Sequence, residues 1–167
     1  MMNSLEFCDR FLRDGWCERD LQMLIQKQLR QRGMFLAPHE VRIKTPTATR
    51  RIDLATWLCN YEVKKYLTRE AIFHAAAQTE LYNHYVPKLL WIIPKRRVVI
   101  GLAPSDPRDY EAARKVAEDF RAMGVNVIFV NETGLTLNSP ELKTLIGILA
   151  LIFCSVAILS FLLVQAL

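Results

Sequence analysis

The sequence predicts an α/β domain with a mixed central sheet flanked by helices, followed by one C-terminal transmembrane helix. Two observations predict it. Helical and strand-like hydrophobic periods follow one another in the order α, β-β-β, α, β, α, β through residues 1–131. The stretch 144–167 contains no Asp, Glu, Lys or Arg. We therefore expect a domain over residues 1–131, a polar linker over 132–143 and a membrane span over 144–167.

Three segments of the domain have the apolar spacing of amphipathic helices. They cover about residues 17–32, 69–85 and 109–123. Thr68 can cap the second of these helices, and Gly124 closes the third. Each helix has an apolar side that needs a sheet or another helix to cover it.

Five segments have the composition of strands, and their connections predict how they pair. The first three, at about residues 39–44, 50–57 and 61–66, are joined by short turns, which favour antiparallel hairpins. The last two, at 98–102 and 125–130, each follow a helix. A helix crossover joins parallel strands, so the sheet is expected to be mixed.

The C-terminal stretch has the length and polarity of a membrane span. As a helix, residues 145–167 would run roughly 34 Å, enough to cross a hydrocarbon core of about 30 Å. A buried core helix is the alternative, but such helices are usually shorter and carry a polar face. Lys143 precedes the stretch and the domain is basic, which favours a single-pass protein whose domain faces the cytoplasm.

The net charge and the cysteine spacing limit which ligands and partners the chain is expected to bind. The chain has a formal charge of +5, and all its charged side chains precede residue 144. A basic domain fits either nucleic acid or an anionic lipid leaflet. The four cysteines have no zinc-site spacing, which predicts reduced thiols. A nucleotide-binding glycine loop and a Ser/His/Asp order are also absent from the sequence.

The segment 51–66, RIDLATWLCNYEVKKY, carries the residues that suggest chemistry. Glu62 and Lys64 are two residues apart on one predicted strand, so both project from the same face. A tight turn would bring Asp53 of the preceding strand close to Glu62. Two carboxylates suit Mg²⁺ or Mn²⁺, and such an ion acidifies the attacking water in phosphodiester hydrolysis. The alternative is a solvated hairpin with an exposed Glu–Lys pair.

These residues resemble the PD-(D/E)xK, or restriction-endonuclease-like, superfamily. Its pattern is an Asp at the start of the second strand, (D/E)-x-K on the third, and in many members a Gln on the next helix. Here Asp53, Glu62-Val63-Lys64 and Gln78 stand in that order, and Tyr82 follows Gln78 by four residues. The resemblance covers roughly residues 15–131 and implies an αβββαβ core with metal-dependent nuclease activity, on DNA rather than RNA.

The resemblance also implies a role for each residue. Asp53 and Glu62 would ligate the metal, and Lys64 would support the nucleophile. Gln78 would orient the site, and Glu18 on the first helix would complete it. Tyr82 would face the nucleic acid. Two departures from the family pattern are Ile52 in place of the motif's proline and the short spacing from Asp53 to Glu62, which requires a very tight hairpin.

Basic side chains on either side of this segment suit a substrate groove. The predicted phosphate contacts are Lys44, Arg50, Arg51 and Lys65. A solvated or lipid-facing basic rim is the alternative reading of the same residues. Two further functions stay open: an inactive nuclease-like fold that serves as a membrane-tethered binding module in a larger complex or homo-oligomer, and a basic domain whose charge serves only the bilayer.

Overall fold

The structure is a computed structural model that describes residues 12, 15–31, 39–86, 95–133, 147 and 150–155. The chain divides into two compact units, Met1–Thr136 and Leu137–Leu167. The first unit contains all the strands of the described residues. Its helices and strands follow the order α1 (Glu18–Gln31), β1 (His39–Lys44), β2 (Thr49–Ala55), β3 (Cys59–Tyr66), α2 (Arg69–Tyr85), β4 (Arg96–Leu102), α3 (Pro107–Ala122), β5 (Val125–Phe129) and α4 (Val130–Thr133).

The five strands form one mixed sheet in the order β1-β2-β3-β4-β5. The pairs β1–β2 and β2–β3 are antiparallel, whereas β3–β4 and β4–β5 are parallel. The predicted element order and the predicted mixed sheet are therefore confirmed. The two parallel pairs are each bridged by a helix, α2 or α3, as the crossover rule requires.

Strand ends differ from the sequence-based bounds by one or two residues at β2, β3, β4 and β5. β3 begins at Cys59, two residues earlier than expected, because a hydrogen-bonded turn closes between Thr56 and Cys59. The Thr56 N–H donates to the Cys59 carbonyl at 2.8 Å, and the Cys59 N–H donates to the Thr56 hydroxyl at 3.1 Å. At the other end of the sheet, Val130 begins α4 instead of ending β5.

The helices α2 and α3 begin at capped positions. The Thr68 hydroxyl accepts a hydrogen bond from the Ala71 N–H at 3.2 Å, which confirms the predicted cap of α2. α3 begins two residues earlier than predicted, because the Asp106 carboxylate caps it and Pro107 occupies its first turn. Proline suits that position, since its fixed φ is helical and its missing N–H costs no bond there.

The core lies on both sides of the central strands. β4 is buried from Val98 to Leu102, and continuous burial of this kind means that both faces of the strand are covered. α2 and α3 pack on β4 and β5 through a cluster that includes Ala76, Val99 and Val116. α1 buries Leu21, Ile25 and Leu29 completely, and each such side chain contributes about 1.5–3 kcal/mol of transfer free energy.

The predicted membrane span falls mostly outside the described residues, since only 147 and 150–155 of it are described. Residues 150–155 are helical and exposed. Within the described parts of the chain, no helix has the length and apolar character needed to cross a bilayer. The span at 144–167 therefore stays a prediction, and so does most of the linker at 132–143.

Candidate functional site

The strands β2 and β3 stop pairing at the point where the predicted site residues begin. Their paired residues are Leu54–Tyr61 and Ala55–Asn60. In a continued antiparallel ladder the Val63 N–H would reach a β2 carbonyl. It donates instead to Asp53 Oδ2 at 2.7 Å. The Asp53 carboxylate therefore lies against the peptide bond that joins Glu62 to Val63, and the predicted closeness of these two acids is present.

Glu62 is a buried carboxylate whose two oxygens have different surroundings. Its Oε1 accepts a hydrogen bond from Lys64 Nζ at 2.8 Å. Its Oε2 is buried and has no hydrogen-bond partner in the described part of the chain. Burial and, to a smaller extent, the charge of Asp53 raise the pKa of Glu62 to about 7, although Lys64 acts in the opposite direction. The residue is 3% exposed, so water relieves little of this cost.

Lys64 is the ammonium group of this cluster. Burial alone would lower the pKa of Lys64, but the nearby carboxylates of Glu62, Glu18 and Asp53 together raise it above its ordinary value. The group is therefore a fixed cation at neutral pH. It donates to Glu62 and stays close enough to Asp53 to interact with its charge, as the sequence predicts.

Glu18, the first residue of α1, also lies close to this part of β3. Its Oε2 accepts a hydrogen bond from the Lys65 N–H at 3.3 Å. Its charge raises the pKa of both Glu62 and Lys64, which places it near the pair. A carboxylate in the first turn of a helix is also stabilised by the helix dipole. The structure thus brings Glu18 together with the other predicted acids.

Gln78 and Tyr82, the two predicted site residues on α2, differ in how deeply they are buried. Gln78 is half-buried, and among the described residues no hydrogen bond joins it to Asp53 or Glu62. Tyr82 is 3% exposed and packs with Ile43 and Ile52. Burial, together with the charges of Glu62 and Asp53, raises the pKa of the Tyr82 hydroxyl, so it stays protonated. The ring is not presented to solvent, and a nucleic acid could reach it only after a rearrangement.

The predicted phosphate contacts are exposed but differ in how they are held. Lys44 and Arg50 are exposed at the β1–β2 hairpin. Arg51 lies 3.4 Å from the carboxylate of Glu40, and in the strand register it stands directly opposite Arg42. Two like charges opposite each other are unfavourable for a β-sheet, and a bound anion would relieve this repulsion.

Lys65 is the fourth predicted phosphate contact, and its side chain packs against Trp16. Its Nζ donates to the Trp16 carbonyl at 3.2 Å and lies 4.6 Å from the centre of the Trp16 ring. Trp16 in turn contacts Tyr66 edge-on at 5.9 Å. No sequence signal links Trp16 to Lys65, because the two residues meet only through the packing of α1 on β3.

Two more residues at the site have no role in the sequence-based prediction. Asn60 is completely buried, and its amide nitrogen and oxygen have no partner in the described part of the chain. It lies on β3 two residues before Glu62, although the sequence placed it in the turn. Gly101 of β4 lies directly against β3, and a Cβ there would collide with the Lys64 carbonyl oxygen. Only glycine allows this close approach.

A divalent ion at this site would need several oxygen donors close together. Among the described residues, no group of three His, Cys, Asp or Glu side chains is arranged to hold a metal. Asp53 and Glu62 nevertheless supply oxygen donors, and Glu62 Oε2 is a buried acceptor without a partner. Hard cations such as Mg²⁺ take few protein ligands and keep several waters, so two carboxylates fit such an ion.

Comparisons of the chain with protein-family models, with curated proteins and with solved structures found no match. Function is therefore inferred from the chemistry of the site, because a fold by itself hosts many unrelated activities.

Proposed function

We propose that this protein is a membrane-anchored, metal-dependent nuclease that hydrolyses phosphodiester bonds, in DNA rather than RNA. The proposal is carried by one observation: a buried carboxylate oxygen of Glu62, without a hydrogen-bond partner, lies beside Asp53 and Lys64. The restriction-endonuclease-like core and the membrane anchor are part of the same proposal.

Folding stability alone does not account for this cluster. A buried carboxylate without full hydrogen bonding costs free energy, and a second acid nearby increases the cost. Lys64 offsets only part of it, since the pKa of Glu62 still rises to about 7. An arrangement that costs stability and gathers titratable groups is typical of functional sites.

Asp53 and Glu62 would hold the divalent cation. When bound, such an ion lowers the pKa of a water nucleophile and offsets charge on the phosphate. The Asp53 carboxylate is already oriented by the Val63 N–H, and its position does not depend on a ligand. Glu62 would bind the ion in its ionised form, which is favoured above about pH 7.

Lys64 would stabilise the negative charge that develops on the phosphate during hydrolysis. Its raised pKa keeps it protonated, so it serves as a cation and not as a base. Glu18 would keep β3 in place through its bond to the Lys65 N–H. Tyr82 would keep the carboxylates away from bulk water, and the exposed Lys44, Arg50 and Arg51 would bind the phosphate backbone.

The test is cleavage of plasmid DNA by the purified full chain in detergent, with Mg²⁺ or Mn²⁺. We expect Lys64→Ala to lower the cleavage rate by about 10²–10³-fold, the usual cost of removing a group that stabilises transition-state charge. Lys115→Ala on α3 is the matched control, since Lys115 is exposed and pairs with Glu111 of its own helix. Equal cleavage by wild type and Lys64→Ala would remove the catalytic claim.

One observation favours a second function, a nuclease-like binding module without activity. The Lys64 ammonium already donates a hydrogen bond to Glu62 Oε1. Such an internal ion pair is what a site without a metal would use to balance the carboxylate charge. DNA binding without cleavage, together with no calorimetric signal for Mg²⁺, would support this second function. Binding to anionic vesicles but not to DNA would support a domain whose charge serves only the bilayer.

A further inference from the structure

Asn60 is a polar side chain that lies beside Glu62 on the same face of β3. The register of β3 with β4 is regular from Asn60 to Lys64, so the alternate residues of this stretch project from one face of the sheet. The hydrogen bond from Lys64 to Glu62 agrees with this arrangement. Asn60 therefore belongs to the face that carries the carboxylate cluster, one alternate position nearer to the β2–β3 turn.

The helix α2 covers this face at the level of Asn60. Arg97 of β4 stands directly opposite Asn60 in the strand register and forms an ion pair with Glu80 of α2. Thr79, the residue before Glu80, is completely buried on α2. Asn60 is itself 0% exposed, so bulk water does not reach its amide.

Three polar atoms under α2 have no hydrogen-bond partner among the residues that the structure describes. They are Asn60 Nδ2, Asn60 Oδ1 and Glu62 Oε2. Buried groups without partners cost free energy, and native proteins satisfy nearly all of them through protein atoms or ordered water. The Thr79 hydroxyl, which donates to the Ala76 carbonyl at 2.8 Å, can also accept a hydrogen bond. These atoms together form a buried polar site.

A single water matches the spacing and the chemistry of this polar site. Side chains two residues apart on a strand start about 6.6 Å from each other. Two hydrogen bonds of about 2.8 Å to one water span up to about 5.6 Å. The water would accept from Asn60 Nδ2 and donate to Glu62 Oε2, and its second hydrogen can go to the Thr79 hydroxyl. About three partners are usual for a buried water.

We propose that Asn60 is a positioning residue of the nuclease site and acts on Glu62 through one water buried beneath α2. This role rests on the proposed function, because the carboxylate that is positioned is a proposed metal ligand. A carboxylate oxygen has two lone pairs, so Glu62 Oε2 accepts from the water and still coordinates the cation. Lys64 on Oε1 and the water on Oε2 then fix the orientation of the carboxylate, as outer partners do for metal ligands in general.

The test compares two substitutions of Asn60 that separate packing from hydrogen bonding. Asn60→Leu fills a similar volume without polar atoms, whereas Asn60→Ser keeps a donor and an acceptor but leaves space unfilled. In the full chain in detergent, we expect Asn60→Leu to raise the dissociation constant for Mg²⁺ about 10-fold or more, measured by calorimetry. Asn60→Ser should bind Mg²⁺ nearly as well as the wild type, although it unfolds at no higher urea concentration than Asn60→Leu.

A purely structural role for Asn60 predicts the same order of the two variants in both measurements. That result, or Mg²⁺ binding by Asn60→Leu equal to that of the wild type, overturns the proposal. Asn126→Leu is the matched control, because Asn126 is an exposed asparagine on β5 of the same sheet. It should leave the dissociation constant for Mg²⁺ unchanged.

A crystal structure of the full chain that shows ordered waters provides a readout apart from metal binding. We expect one water within hydrogen-bond distance of Asn60 and Glu62 Oε2 in the wild type, and no such water in Asn60→Leu. A direct hydrogen bond between Asn60 and Glu62 overturns the proposal, even if the protein cleaves DNA. A wild type that binds no Mg²⁺ overturns the proposed function as well, so the two failures are distinguishable.

Discussion

At the scale of single residues, Asp53 combines two functions that can be separated. Its carboxylate accepts the Val63 N–H at 2.7 Å and so replaces a missing backbone bond between β2 and β3. The same group is proposed to bind metal. An amide in its place can still accept the N–H but carries no charge.

We predict that Asp53→Asn keeps the stability of the domain but loses cleavage, whereas Asp53→Ala loses both. The alanine variant leaves the Val63 N–H without its acceptor, at a cost of about 1–3 kcal/mol. Urea unfolding of residues 1–138 measures stability, and plasmid cleavage measures activity. Equal stability of the two variants would show that the Asp53–Val63 bond contributes nothing to folding.

Glu62 makes stability depend on pH. Its pKa rises from 4.5 in the unfolded chain to about 7 in the folded domain. The folded state therefore holds this proton more tightly. The contribution is fully present below pH 4.5 and is lost as the pH rises to about 7, a change on the order of 3 kcal/mol.

We therefore expect the free energy of unfolding of residues 1–138 to fall between pH 4.5 and 7, beyond what other groups cause. Glu62→Gln should remove this part of the slope, because the amide does not titrate. Glu70→Gln, at an exposed position on α2, is the control and should leave the slope unchanged. A slope that is the same in wild type and Glu62→Gln would contradict the buried, raised-pKa state of this carboxylate.

At the scale of the elements, the sequence was sufficient wherever local signals decide the structure. The turn between β1 and β2, the cap at Thr68 and the alternation of helices and strands were all predicted. The early start of α3 was missed, although Asp106 and Pro107 together form a start signal. The place where β2 leaves β3 could not be predicted, because it depends on a side chain, Asp53, that takes over a backbone bond.

The Thr68 cap should matter to the whole of α2, which carries both Gln78 and Tyr82. We expect Thr68→Ala to lower the free energy of unfolding by about 1 kcal/mol, since the Ala71 N–H loses its acceptor. Thr68→Ser keeps the hydroxyl and should retain most of the stability. Urea unfolding of residues 1–138 compares the two, and an equal loss in both would show that the hydroxyl is not the cause.

At the scale of the whole molecule, the closeness of Asp53, Glu62 and Lys64 could be predicted, but the packing around them could not. The sequence spacing of Asp53, Glu62 and Lys64 was enough to predict that these groups lie close together, because a short turn makes the two strands that carry them neighbours in the sheet. The burial of Tyr82 and the contact of Lys65 with Trp16 depend on how helices pack on the sheet. Such packing has no short sequence signature.

Membrane attachment is the prediction that concerns the chain as a whole. We expect the full chain to sediment with membranes and to resist extraction at high salt and at alkaline pH, because residues 144–167 are long and apolar enough to span a bilayer. A chain that ends at residue 143 should instead be released into the soluble fraction. Release of the full chain by salt alone would mean that only its positive charge attaches it.

The contact at Gly101 has a consequence for how the site can be lost. The backbones of β4 and β3 lie so close there that a single added methyl group would displace the carbonyl of Lys64. The Lys64 ammonium and the Glu62 carboxylate would then move apart, although the variant keeps every ionisable group of the protein. A neutral change on β4, a strand that supplies none of the proposed catalytic residues, would therefore abolish the proposed activity, and a comparison of charged residues alone would not reveal it.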